Sequence, residues 1–343
     1  MVIILHGSAS DEQLQEVEQL LADNGLRADI SRGVEKIVIG AIGATDETRL
    51  YLPEQLESLP FVERVMVVSK PYKRVARERN PAGTTVTVGD LRLGENEPQV
   101  VVMAGPCSVE TREQILEAAR AVKAAGATIL RGGAFKPRTL PYDFQGLGQQ
   151  GLEYLAEARR ETGLPIVTEV MAPEDVALVG EYTDIFQVGA RNMQNFQLLR
   201  TLGEARKPVL FKRGMAATLD EYLKATEYIL AGGNEEVILC ERGIRSFDAE
   251  HYRNVFDLNA IAALRSLTHL PICADPSHGT GISELVPVMA RAAIAAGADA
   301  LMIEVHPNPA KARSDGRQAL TPPQFAAMMT DLQRIAGAVD RHL

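Results

Sequence analysis

From residue 100 onward the chain repeats one pattern: a short run of consecutive apolar residues, a turn, a stretch of helical period, and another apolar run. The runs are 100–104, 128–131, 165–169, 184–188, 208–212, 236–240, 271–275 and 300–304. A strand with one wet face alternates apolar and polar residues, so continuous apolar runs mean that both faces are covered, as in parallel strands under helices. Eight such units in about 240 residues predict an α/β fold closed into a (β/α)8 barrel. A doubly wound open sheet is the alternative, but no Gly-x-Gly-x-x-Gly follows the first run. The helices between them include 110–125, 219–231, which Thr218 and Glu221 open as a capping box, and 284–296.

Ahead of this repeat, residues 1–70 read as a compact βαββαβ unit with strands at 2–5, 27–31, 36–41 and 62–68 and helices at 11–23 and 53–59. Ser10 followed three residues later by Gln13 opens the first helix, and Asn24-Gly25 ends it. The pattern predicts a small ferredoxin-like domain. The basic, proline-bracketed stretch that follows makes 71–84 a linker, leaving 85–343 as the barrel domain, with a hairpin at 86–93.

The charge balance of 36 basic and 45 acidic residues, a net −9, argues against binding nucleic acid. No apolar run reaches the roughly 18 residues of a membrane helix, and the first residues lack a basic leader, so the expectation is a cytoplasmic protein that does not engage a membrane. Cys107, Cys240 and Cys273 show no Cys-x-x-Cys spacing, which excludes a disulfide framework and a zinc ribbon.

In a barrel the chemistry gathers at the carboxyl ends of the strands. There the chain places Arg131, Lys136, Arg138, Arg191, Lys212 and Arg242. Any one of these alone reads as a surface cation; six at one mouth of an acidic protein point to a multiply charged anionic ligand. A second group is Cys107, His278 and Glu304, from the first, seventh and eighth strand ends, which become neighbours when the barrel closes. Asp315, in the loop after strand eight, can reach as a fourth ligand. This mixed sulfur, nitrogen and oxygen set suits a catalytic divalent metal ion, with Mn, Fe, Co and Zn all compatible. His306 is a weaker candidate, and Cys240 and Cys273 read as core residues.

Gly105-Pro106-Cys107-Ser108, the run from Leu130 through Lys136-Pro137-Arg138-Thr139 to Gly148, Gly189-Ala190-Arg191-Asn192, Lys212-Arg213-Gly214, Cys240-Glu241-Arg242-Gly243 and Asp275-Pro276-Ser277-His278 together resemble 3-deoxy-D-arabino-heptulosonate 7-phosphate (DAHP) synthases. The likeness is to the type I beta subgroup, whose barrel follows a ferredoxin-like domain. It implies condensation of phosphoenolpyruvate with erythrose 4-phosphate, the first step of the shikimate pathway. It assigns Arg131, Lys136, Arg191, Lys212 and Arg242 to phosphoenolpyruvate, and Arg138 and Thr139 to the sugar phosphate. Cys107, His278, Glu304 and Asp315 match the metal ligands, and Glu169, Lys136 and a metal-bound water are candidates for proton handling. Leu140 stands where the family commonly has a serine, which removes a hydroxyl near the sugar phosphate. The subgroup's amino-terminal domain is associated with feedback by aromatic amino acids bound between such domains in a homotetramer. Two alternatives remain: a 3-deoxy-D-manno-octulosonate 8-phosphate synthase, and a non-catalytic barrel that senses a phosphorylated metabolite.

Overall fold

The computed structural model of the protein describes residues 1–33, 35–67, 72–138, 140–248 and 250–343, and divides into two units, Met1–Pro71 and Tyr72–Leu343. In the first, β1 (Val2–His6), α1 (Asp11–Asp23), β2 (Arg27–Arg32), β3 (Lys36–Ile42), α2 (Asp46–Glu57) and β4 (Val62–Met66) follow the expected βαββαβ order. The strands form an antiparallel sheet in the order β2-β3-β1-β4, the ferredoxin-like arrangement. Ser10 and Gln13 cap α1 reciprocally, and Leu14, Val17 and Leu21 on its inner face join Ile3, Leu5, Ile37 and Ile39 in one buried cluster. One boundary departs from the sequence expectation by more than two residues. Helix α2 begins at Asp46 rather than at 53, because the Thr45 side chain accepts from the Thr48 amide and starts the helix there. Pro53 lies within it, where its missing N–H forfeits one backbone hydrogen bond without ending the helix. Strand β4 stops at Met66, and Val68 falls outside the described residues.

The second unit opens with a hairpin, β5 (Val86–Val88) and β6 (Leu91–Leu93). The barrel strands are β7 (Val101–Gly105), β8 (Ile129–Arg131), β9 (Ile166–Glu169), β10 (Ile185–Val188), β11 (Val209–Lys212), β12 (Val237–Glu241), β13 (Ile272–Ala274) and β14 (Ala300–Glu304). They close in sequence order into a parallel barrel, which removes the open-sheet alternative. Around it lie α3 (Arg112–Ala124), α4 (Gln149–Thr162), α5 (Val176–Tyr182), α6 (Phe196–Glu204), α7 (Leu219–Ala231), α8 (Leu258–Leu267), α9 (Pro276–Thr280), α10 (Val286–Ala295) and α11 (Pro322–Ala338). The helix expected at 284–296 is α10 preceded by a 3₁₀ turn at Ser283–Leu285. Of the stretch read as a linker, Tyr72, Val75 and Ala76 are buried with the barrel's outer core. The amides of Lys73, Arg74 and Val75 donate to the Glu227 carboxylate on α7.

Inside the barrel, Val101 and Met103, Ile129, Val167, Ile185, Leu210, Ile238 and Cys240, Cys273, and Ala300 and Met302 form one apolar cluster. The hairpin adds Val86, Val88 and Leu93 to it, so β5 and β6 plug the barrel with side chains each worth roughly 1.5–3 kcal/mol of burial. Among the described residues no helix is long and apolar enough to cross a membrane.

Candidate active site

Side chains on a strand return to the same face every second residue. Two residues beyond the apolar layer, the inward positions of the eight strands are therefore Gly105, Arg131, Glu169, Gln187, Lys212, Arg242, Asp275 and Glu304. The barrel changes from hydrocarbon to charge within one step of the pleat. Gly105 has φ +151°, and a Cβ there would come within 2.1 Å of the Arg131 carbonyl, so the first strand end must be bare.

Beyond β7 and β8 the two chains stay paired through Val109 N to Gly133 O (2.9 Å) and Gly133 N to Cys107 O (3.1 Å). That pairing sets Lys136 beside Cys107: its Nζ donates to the Cys107 carbonyl at 3.1 Å and lies 3.0 Å from Sγ. Arg131 is held between the Pro106 carbonyl (2.7 Å) and Glu304 Oε1 (3.1 Å). Lys212 donates to Asp275 Oδ2 at 2.5 Å. Arg242 is 4% exposed, and among the described residues no carboxylate lies within ion-pair distance of it. Burial lowers its pKa from the ordinary guanidinium value. Arg191 is exposed on the turn after β10, and Arg138 lies 3.3 Å from Asp143 Oδ2. Thr139 lies outside the described residues, and Leu140 is exposed.

All six expected cations line one cavity of about 220 Å³. With Arg253 they make seven cationic residues against three carboxylates, Asp143, Glu169 and Asp315. Glu169 accepts from Gln187 Nε2 at 3.2 Å, and a Cβ on Gly189 would stand 2.1 Å from its Oε1.

At one side of this cavity Cys107, His278, Glu304 and Asp315 each offer a donor atom within 4.8 Å of the others. Sγ lies 3.1 Å from Asp315 Oδ2, and His278 Nε2 lies 3.4 Å from Glu304 Oε1 and 4.0 Å from Asp315 Oδ2. Burial pushes the Cys107 thiol up to about 12, with Glu304 and Asp315 adding to the rise and Lys136 and Arg131 opposing it. Asp315 is held below the usual carboxylate range: burial raises it, but His278 and Arg253 outweigh that. Its φ of +50° is unusual for a residue with a Cβ, and such backbone concentrates at functional sites. Acceptors crowded in this way repel one another, and a divalent cation among them would offset the repulsion and favour the thiolate. The donor set therefore fits a metal ion with an open position.

His306 stands apart from this group, with Nδ1 accepting from the Asn308 amide and Nε2 3.6 Å from Glu110. Cys240 and Cys273 are register partners in the apolar interior. The sequence reading gave no role to four residues of the site. Asp275 and Gln187 are reachable by counting two from Cys273 and Ile185. Gln318, which donates to Glu304 Oε2 at 2.8 Å, and Arg253, which reaches Asp315 Oδ1 (3.3 Å) and Gln318 Oε1 (3.0 Å), lie in loops that carry no periodic signal.

Comparison with known proteins matches residues 76–338 to the model of the DAHP synthetase I family and residues 1–70 to that of the DAHP synthase ferredoxin-like domain. The chain is 45% identical to the phospho-2-dehydro-3-deoxyheptonate aldolase of Thermotoga maritima over 339 residues, 99% of this chain and 98% of that one. A 2-dehydro-3-deoxyphosphooctonate aldolase of Acidithiobacillus ferrooxidans is 34% identical over 258 residues, 70% of this chain and 89% of that one. The crystal structure of the Thermotoga maritima DAHP synthase superposes with a TM-score of 0.95 at 44% identity, covering 99% of this chain and 98% of that one. A truncated form of the Thermotoga maritima enzyme superposes with a TM-score of 0.72 at 44% identity, covering 78% of this chain and 97% of that one.

Proposed function

The chain belongs to the DAHP synthetase I family, and on that premise we propose how its barrel mouth works. The protein is a transferase that condenses phosphoenolpyruvate with erythrose 4-phosphate to give DAHP and inorganic phosphate, the entry to aromatic amino-acid biosynthesis. The octulosonate activity has weaker support, because relatives of that name align with 70% of the chain at 34% identity.

Arg131, Lys136, Arg191, Lys212 and Arg242 hold the phosphate and carboxylate of phosphoenolpyruvate. The observation that carries this is Arg242, a buried guanidinium with no carboxylate partner among the described residues, facing a cavity where cations outnumber carboxylates. An isolated buried cation is costly, and an anionic ligand removes that cost. Arg138 and Thr139 receive the phosphate of the sugar, without the hydroxyl that Leu140 replaces. Cys107, His278, Glu304 and Asp315 hold a divalent metal ion, for which Mn, Fe, Co and Zn all suit the donor set. When bound, it supplies Lewis acidity toward the aldehyde oxygen. The enol carbon of phosphoenolpyruvate adds to the aldehyde carbon, water adds at the cationic centre this leaves, and phosphate departs. Fixing both substrates in line is worth roughly 7–11 kcal/mol of the barrier. Glu169 and Lys136 handle protons, Glu169 restrained by Gln187 and Lys136 next to Cys107.

Residues 1–70 are read as the sensor of an aromatic amino acid in a homotetramer, on the strength of their match to the ferredoxin-like domain of these synthases. We read the enzyme as cytoplasmic, which suits a biosynthetic activity of this kind.

The test is metal removal. Full-length protein stripped by a chelator is expected to stop consuming phosphoenolpyruvate in the presence of erythrose 4-phosphate and to recover on addition of a divalent metal. Cys107→Ala and His278→Ala are expected to recover little. Full activity in the stripped protein contradicts the reading.

A further inference from the structure

We infer that Asp275 is the positioning residue of the metal-holding group: it fixes which ring nitrogen of His278 is free to bind. The inference rests on reading His278 as a ligand. Asp275 is fully buried, directly after β13 on its inward face, and its carboxylate has three donors around it. Oδ1 accepts the His278 amide at 2.9 Å, which caps α9 and anchors the carboxylate. Oδ2 accepts from Lys212 Nζ at 2.5 Å and lies 2.8 Å from His278 Nδ1.

A carboxylate flanked by an ammonium is ionised and can only accept, so the proton between Asp275 and His278 belongs to Nδ1. In the neutral ring Nε2 then keeps its lone pair. That nitrogen is the one 3.4 Å from Glu304 and 4.0 Å from Asp315, on the side where the four donors converge. Imidazole binds a metal only through an unprotonated nitrogen, and the hydrogen bond made by the other nitrogen decides which one that is.

Asp275→Ala takes the acceptor away from Nδ1 and leaves Glu304 Oε1, 3.4 Å from Nε2, as the nearest carboxylate to the ring among the described residues. The ring proton then moves to Nε2, which can no longer bind a cation.

The experiment uses full-length, metal-free protein carrying ¹⁵N-histidine at ~pH 8, where the neutral ring predominates. His278→Gln identifies the His278 signals among the six histidines. The wild type is expected to show a protonated Nδ1 and a bare Nε2. Asp275→Ala is expected to show the reverse, and its affinity for Mn²⁺, titrated without substrate, to fall about 10–100-fold. A bare Nε2 in the variant, or a protonated Nε2 in the wild type, overturns the inference. The wild-type result stands even if the variant fails to fold. A proton that moves without any change in Mn²⁺ affinity supports the role of Asp275 but removes His278 from the metal group, so the two readings fail separately.

Discussion

Arg242 and Lys212 are both buried at the cavity, but they differ in what holds them. Lys212 has the Asp275 carboxylate, whereas Arg242 has no carboxylate partner among the described residues. On the proposed assignment, replacing either by alanine is expected to remove a charge-assisted hydrogen bond to phosphoenolpyruvate, roughly 1.5–3 kcal/mol or about 10- to 150-fold in affinity. Their effects on stability should diverge. Arg242→Ala takes away an uncompensated charge and is expected to leave the denaturation midpoint unchanged or raised. Lys212→Ala strips a buried carboxylate of one partner and should lower stability, by up to about 3–5 kcal/mol. Saturation curves together with chemical denaturation of both variants check this, and near-normal saturation in both would misplace the anion pocket. These two cations were legible because Lys212 ends an apolar run and Arg242 follows one by two residues, where a charge has no reason to sit in a barrel unless something binds it. Arg253 was not, because its contact with Asp315 depends on how two loops meet after the fold has formed.

At the scale of elements, the hairpin β5–β6 separates packing from chemistry. Leu93 is buried in the barrel's interior cluster, away from the polar layer. Leu93→Ala is expected to cost roughly 2–5 kcal/mol in denaturant unfolding while kcat stays near wild type. A large loss of kcat without loss of stability would show that the plug shapes the site. The eight barrel strands were readable as apolar runs because burial on both faces leaves nothing polar to interrupt them. The start of α2 was not, since Pro53 resembles a first-turn proline and the true start depends on the quieter signal of Thr45. The hairpin itself was visible, but its role was not: nothing in 86–93 distinguishes a plug inside a barrel from a pair of strands on its surface.

For the whole molecule, a net charge of −9 coexists with a cationic cavity, so the attraction for two anionic substrates is local and does not come from the overall field. The domain at 1–70 holds none of the residues assigned to chemistry, which suits a regulator. Feedback requires an effector that binds two states unequally. The comparison is the full chain against a barrel beginning at Tyr72, which keeps the buried Val75 and the amides bound to Glu227, each titrated with tyrosine and phenylalanine. Inhibition of the full chain alone is expected; equal inhibition of both, or of neither at millimolar effector, removes the sensing role. The reaction itself is tested by phosphate release from phosphoenolpyruvate by the metal-loaded full chain with erythrose 4-phosphate, with arabinose 5-phosphate, or with no aldehyde. Release is expected to depend on erythrose 4-phosphate; equal or faster release with arabinose 5-phosphate, or release that needs no aldehyde, would rule out a DAHP synthase.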